Sequence, residues 1–202
     1  MSRLTYPSPD LPLVKRINCL LVIAILCLAI PGAWRTAYAF RSVPEQKDFA
    51  TYYLAAAMLN AGDSRIYETD PLYDIAIEKN VRDFAPPYVY PPLFASILRP
   101  IANLPYNSAK GVWFTVNVLL LVFSCLFLIQ IAGYQVNAKS MMVSIGAIFL
   151  FPPVHQALVL GQVSPLLLFL TSGCLKYTIQ REPHHTTKDL LAGTFLALIA
   201  FS

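Results

Sequence analysis

Asp48, Tyr90, His155 and Gln162 are the residues whose types and neighbours could carry chemistry in this chain of 202 residues. Asp48 opens the stretch Asp-Phe-Ala-Thr-Tyr-Tyr-Leu-Ala-Ala-Ala-Met-Leu-Asn-Ala-Gly, which is almost entirely apolar after its first residue. An Asp at such a start, with Gly62 at the far end, reads as a helix N-cap and a C-terminal stop. Capping does not preclude catalysis: the helix dipole favours a negative charge there, and a carboxylate held in place can take a proton from a hydroxyl. Tyr90 stands in Ala85-Pro-Pro-Tyr-Val-Tyr-Pro-Pro-Leu93, where each Pro-Pro fixes an extended approach and the second starts a helix well. The run from Phe151 through Pro-Pro-Val-His155-Gln-Ala-Leu-Val-Leu-Gly-Gln162 to Pro165 breaks an apolar segment while presenting one His and two Gln side chains. Broken backbone at membrane depth usually lines a cavity. Hydrogen bonding between helices accounts for Gln162 equally well.

Metal chemistry finds little support. Cys19, Cys27, Cys125 and Cys174 each lie in an apolar run, with no Cys-x-x-Cys pair and no His at ligand spacing, so they read as packing thiols. His184-His185 sits in a polar stretch with Arg181 and Lys188, has no third ligand, and reads as a solvated loop. No metal and no cofactor is expected.

The elements that must position these residues follow from hydropathy. Hydrophobic residues make up 56% of the chain and charged residues 13%, with a mean hydropathy of +0.56. That balance suits a membrane protein and excludes an ordinary soluble domain. The net charge of +4 arises without a basic block, which leaves a nucleic-acid partner no electrostatic footprint. A short N-terminal segment, 1–16, precedes an apolar run over 17–39 whose helix, continued to Phe40, is roughly 35 Å long and spans a bilayer, with a possible kink at Pro31-Gly32. A cleavable leader is the rival reading, from Lys15-Arg16 and Ala37-Tyr38-Ala39. The length of the run and the interruption by Trp34-Arg35 favour the span.

A polar segment, 40–108, then forms a large loop on one side of the membrane. Two apolar pieces inside it are too short to cross: Phe49 to Asn60 is about 18 Å long, and Leu93 to Leu104 is broken by Arg99-Pro100. Both read as helices lying at the interface. Further spans fall within 109–202, near 109–131, 140–157 and 163–179, and another begins at Leu190. That last run stops at Ser202 short of a full crossing, which reads as an N-terminal fragment cut inside a helix. If 93–104 does not cross, Arg3, Lys15, Arg16, Lys139, Lys176, Arg181 and Lys188 all share one side. That is the pattern of cytoplasmic cations. The N-terminus is then cytoplasmic, and Asp48, Tyr90 and Gln162 meet on the outer face.

The motifs carry a resemblance. Asp48-Phe-x-x-Tyr52-Tyr-x-Ala-Ala, then Tyr90-Pro-Pro-Leu, then Leu104-Pro with Ala109 and Trp113, and Pro153-Val-x-x-x-Leu-x-x-Gly161-Gln-Val before a Leu-rich span together resemble glycosyltransferase family 87. These are GT-C-type integral membrane mannosyltransferases that use polyprenol-phosphate-mannose. The likeness runs from Asp48 to the end, with Ser164 where Asn is expected after Gly-Gln-Val. It implies an all-α, polytopic helix bundle of GT-C type in the inner (plasma) membrane, with interfacial helices in the large first outer loop. It implies an inverting, single-displacement transfer of a sugar, mannose in that family, from a lipid-linked phosphate donor to a hydroxyl of a glycan or glycolipid acceptor outside the cytoplasm. Asp48 would be the general base. Tyr52, Arg82, Tyr90, His155 and Gln162 would bind substrate, with Arg82, His155 and Gln162 near the donor phosphate. The family needs no obvious metal, and this chain has no Asp-x-Asp pair. The same composition would also serve a carrier or scaffold subunit, or an inactive relative. Transport usually needs ionisable groups within spans, and the complete spans hold none near their centres.

Overall fold

The computed structural model of the protein describes residues 12–42, 46–179 and 186–200, with side chains over 22–42 except 26, over 46–179 and over 190–197. The expectations for Arg3, Cys19, Arg181, His184 and His185 fall outside what it describes. Among the described residues there are nine helices and no strand. The protein is an all-α bundle with helices able to span a membrane.

The first helix, α1 (Pro12–Ser42), is longer than the apolar run that announces it and continues through Pro31. Its part from Val22 to Ser42 is long and apolar enough to cross a membrane, as is all of α5 (Tyr106–Ile131). Between them stand three shorter helices: α2 (Lys47–Asn60), α3 (Thr69–Glu78) and α4 (Pro92–Ala102). The chain past Leu93 is less broken than expected. Pro100 lies in the last turn of α4, so the hydrogen bond it forgoes belongs to the helix end and α4 runs on to Ala102.

The expected span over 140–157 is two helices. The first is α6 (Ala138–Leu150), whose N-terminus carries a capping box between Asn137 and Ser140; the second is α7 (Pro152–Leu160). They are bent by 73° across Phe151, and together they are apolar enough to count as one broken span. Pro152 and Pro153 supply the cause, because neither can donate to the ladder of α6 and both suit the first turn of a new helix. The run expected at 163–179 is α8 (Ser164–Ile179), 16 residues, which at ~1.5 Å per residue makes about 24 Å and falls short of a full crossing. Then comes α9 (Thr186–Ala200).

Two groups of helices build the molecule. In the bundle, α1 packs on α6, α5 on α8, and α8 on α9. The contact of α1 with α6 is close because it runs over glycines: a Cβ at Gly146 would come within 2.6 Å of Ile25 Cγ2, and one at Gly32 would collide with the Phe149 carbonyl. Small residues let helix backbones approach in this way inside membranes. Around Phe169, the rings of Phe123, Phe127 and Phe195 join α5, α8 and α9.

The other group is the loop between α1 and α5, and it holds the core. Every residue of α2 from Phe49 to Met58 is buried, which is the mark of a helix enclosed by other protein. Its neighbours are α3, α4 and the start of α5. Leu72, Ile75 and Ala76 of α3, Phe94, Ala95 and Leu98 of α4, and Tyr106, Ala109 and Trp113 of α5 close the core around it. Of the two short apolar helices, α4 is the one with an open apolar face, where Leu93 and Ile97 are exposed.

Candidate functional site

The start of α2, the first turns of α5 and the turn from α7 to α8 meet at one end of the bundle. Three hydrogen bonds hold them. The Gln46 backbone N–H donates to the Tyr106 hydroxyl at 3.0 Å, Gln46 Nε2 donates to the Leu158 carbonyl at 2.7 Å, and Trp113 Nε1 donates to the Gly161 carbonyl at 2.8 Å. The Phe49 ring stacks on Trp113 with centroids 5.7 Å apart and on Tyr106 at 6.0 Å. A buried indole N–H that finds a carbonyl, with Phe49 stacked on its ring and Tyr52 and Phe94 meeting it edge to face, makes a stiff junction.

Gly161 is what allows the turn. It ends α7 in the left-handed region at φ 73° and ψ 33°, and the Gln162 N–H folds back to the Ala157 carbonyl at 2.8 Å, as in a glycine-terminated helix. The absent side chain matters as much, since a Cβ there would stand 2.6 Å from Phe49 Cβ and 3.1 Å from Gln46 Cβ.

Asp48 is not the N-cap of its helix. The ladder begins earlier, with the Ala50 N–H bonded to the Gln46 carbonyl at 2.7 Å, so Gln46 is the residue before the helix and Asp48 lies inside the first turn. No side chain caps α2; that of Gln46 is committed to Leu158 instead. Asp48 still sits where the dipole favours negative charge. Its side chain is half-buried and has no hydrogen bond or ion pair to a described residue. Neighbouring Lys47 pairs with Asp83 at 3.1 Å.

One turn along α2 from Asp48 is Tyr52, almost fully buried. Its hydroxyl donates to that of Tyr90 at 3.0 Å, and the two rings meet edge to face at 4.9 Å. Burial first, then the bond to Tyr90, then the charges of Tyr90 and Asp48 nearby hold the Tyr52 phenol far above its usual range, so it stays a neutral donor. Tyr67 donates to the Tyr90 carbonyl at 3.0 Å and Tyr88 to the Pro91 carbonyl at 3.0 Å, which pins the Pro-rich strip over this cluster. Burial likewise raises the Tyr88 phenol. Behind Tyr52 and Tyr90, Phe94 and Trp113 lead into an apolar cavity of ≈320 Å³ whose further walls include Leu93, Ile97, Val116 and Leu166.

The other expected site residues lie apart from this pair. His155 Nδ1 is 2.8 Å from Thr36 Oγ1, a hydroxyl that also donates to the Gly32 carbonyl, so the imidazole ties α7 to α1. Gln162 lines a cavity of ≈270 Å³ with Phe151, Pro153, Val154 and Leu168, which takes in neither Asp48 nor Tyr90. Arg82 lines one of ≈640 Å³ with Arg41, Asn107 and Lys110. Tyr52, Tyr90 and Asp48 form one local group, while Arg82, His155 and Gln162 lie on three different elements with contacts of their own.

Among the described residues no group of three or more His, Cys, Asp or Glu side chains could hold a metal ion. Gln46 and Tyr106 are not legible as site residues in the sequence, because a lone Gln before a helix and a Tyr after a Leu-Pro carry no pattern that marks a junction. Against known proteins, the family model described as glycosyltransferase family 87 matches residues 88–201. That stretch takes in Tyr90, Trp113, His155 and Gln162, and it begins after Asp48, Tyr52 and Arg82. No curated protein and no solved structure matches the chain.

Proposed function

The chain belongs to glycosyltransferase family 87, so glycosyl transfer is its general activity, and we propose that it moves mannose from a polyprenyl-phosphate donor to an acceptor hydroxyl with Asp48 as general base. The observation that carries this reading is the Asp48 carboxylate itself. It is half-buried, has no hydrogen bond or ion pair to a described residue, and stands one turn from the paired hydroxyls of Tyr52 and Tyr90. In the transfer, the acceptor oxygen forms a bond to the sugar's anomeric carbon as its proton passes to Asp48. The bond from that carbon to the phosphate oxygen breaks, and the polyprenyl phosphate leaves with the electron pair. Attack from the side opposite the leaving group inverts the anomeric centre. Tyr52 and Tyr90 offer hydrogen bonds to sugar hydroxyls, and the apolar cavity behind them suits the first part of a hydrocarbon chain. Arg82, His155 and Gln162 are the groups within the same end of the molecule that could face the departing phosphate.

The donor class is open to direct trial. Membrane vesicles carrying the chain, given polyprenyl-phosphate mannose labelled in the sugar, should pass label into their own lipids and glycans, while a labelled nucleotide sugar given in its place should yield none. Transfer from the nucleotide sugar alone would overturn the donor assignment.

We place the site outside the cytoplasm, in the inner (plasma) membrane, because Lys15, Arg16, Lys139 and Lys176 then share the cytoplasmic side. The helix ends support this arrangement, since α5 and α8 both start at the end of the bundle that holds Asp48. Alkaline phosphatase fused after Tyr88 should be active and fused after Lys139 inactive. Activity at Lys139 would reverse the orientation.

A further inference from the structure

We propose that Gln46 is the positioning residue of this site, fixing the Asp48 carboxylate relative to the turn at Gly161 and Gln162; the inference rests on the assignment of Asp48 as base. Asp48 and the Gly161 turn belong to different elements, α2 and the connection of α7 to α8, and more than a hundred residues of chain separate them. Something must set their distance. Gln46 is 1% exposed and touches all the parts concerned.

Its main-chain carbonyl starts the ladder of α2, its N–H is held by Tyr106 at the head of α5, and its side-chain Nε2 reaches the Leu158 carbonyl at 2.7 Å. That carbonyl belongs to the last turn of α7, where carbonyls lack helical partners. The left-handed turn sends the Gln162 N–H back to Ala157, and Gln46 satisfies Leu158 instead. The orientation of the amide is settled by the same contact, because exchanging O and N would set two carbonyl oxygens face to face.

The other end of the amide points to the same purpose. Gln46 Oε1 is buried with no hydrogen-bond partner among the described residues, and a Cβ on Gly161 would lie 3.0 Å from it. One amide thus bonds α7 and abuts the turn that follows. An apolar side chain would fill the space but would remove the hydrogen bond that fixes the start of α2 along α7. Asp48 lies two residues on in the same turn, so a slide of about 1 Å at Gln46 moves the carboxylate by as much, and displacement on that scale can cost ~10²-fold in rate.

The trial uses Gln46→Met, which keeps length and bulk but cannot donate, with Gln46→Glu as the second variant should the first fail to accumulate in the membrane. In vesicles with labelled polyprenyl-phosphate mannose, the substitution should lower turnover tenfold or more with little change in the KM for donor. Made on top of Asp48→Asn, it should lower the residual rate by less than threefold, because a residue that acts only through Asp48 has nothing left to act on. Equal losses in both backgrounds, or no loss, would overturn the proposal. A geometric readout stands beside it. With the native thiols replaced, cysteines at positions 48 and 162 should be joined by short bifunctional reagents several-fold faster when Gln46 is retained than when the Gln46→Met substitution is present; equal rates would also overturn it. Should Asp48→Asn alone transfer at the full rate, the base assignment fails, and the cross-linking rates still decide whether Gln46 holds the two elements.

Discussion

Asp48→Asn should lower sugar transfer by at least ~10²-fold while leaving the amount of folded protein in the membrane unchanged. The two halves of this expectation come from different physics. In the first turn of α2, Asp48 offers the helix only its charge, worth about 0.3–1 kcal/mol against the dipole, and it caps nothing. Asn keeps the shape and loses only that small term. Transfer responds differently, because an amide cannot take the acceptor's proton, and a positioned general base contributes ~10² to 10⁴ in rate. Donor binding should be nearly untouched, since the hydroxyl pair of Tyr52 and Tyr90 and the apolar cavity behind it remain. Comparing the rate per folded molecule and the KM for donor separates the effects. A variant with normal turnover would return Asp48 to a purely structural role.

Gly161→Ala should be the most damaging of the glycine changes at helix ends, and Gly62→Ala is its control. Both glycines have positive φ, +73° and +81°, so each alanine meets a left-handed strain of roughly 1–2 kcal/mol. They differ in surroundings. Nothing lies within 4 Å of a Cβ at Gly62, whereas at Gly161 it would press on Phe49 Cβ at 2.6 Å. Neither Phe49, stacked between Tyr106 and Trp113, nor the Gln46 stem can easily give way. Overpacking of this kind adds about 1–3 kcal/mol. In detergent, Gly161→Ala should therefore melt well below Gly62→Ala, and the α2 start should separate from the α7 turn with loss of transfer. Equal melting temperatures for the two variants would mean that the turn at Gly161 is not packed on α2.

How much of this was legible beforehand differs from element to element. The α5 span and the break at Phe151-Pro-Pro could be read because hydropathy over a long run, and paired prolines, act locally. The family could be read from short motifs in order, and its model matches from Tyr88 onward. The helix α3 was missed because Leu72, Ile75 and Ala76 are spaced among Asp70, Asp74 and Glu78, so the average over the segment is polar while one face is buried. The apolar run beginning just after Asp48 suggests a cap there, but the cap is Gln46, two residues sooner, whose carbonyl opens the ladder while its N–H and side chain are tied to α5 and α7. Contacts between residues over a hundred apart leave no local pattern. The same limit hid Gln46 altogether, and it explains why Gln162 and Arg82 could be chosen by type without showing that each lines a cavity of its own.

The central claim is that a carboxylate at position 48 takes the acceptor's proton, and restoring that carboxylate from solution tests it most directly. Asp48→Ala removes the group and leaves a space beside Tyr52. With labelled polyprenyl-phosphate mannose as donor, this variant should transfer at least ~10²-fold more slowly than the unaltered chain. Added formate should then raise its rate in proportion to concentration without affecting the unaltered protein. Transfer by Asp48→Ala at the unaltered rate, with or without formate, would contradict the account.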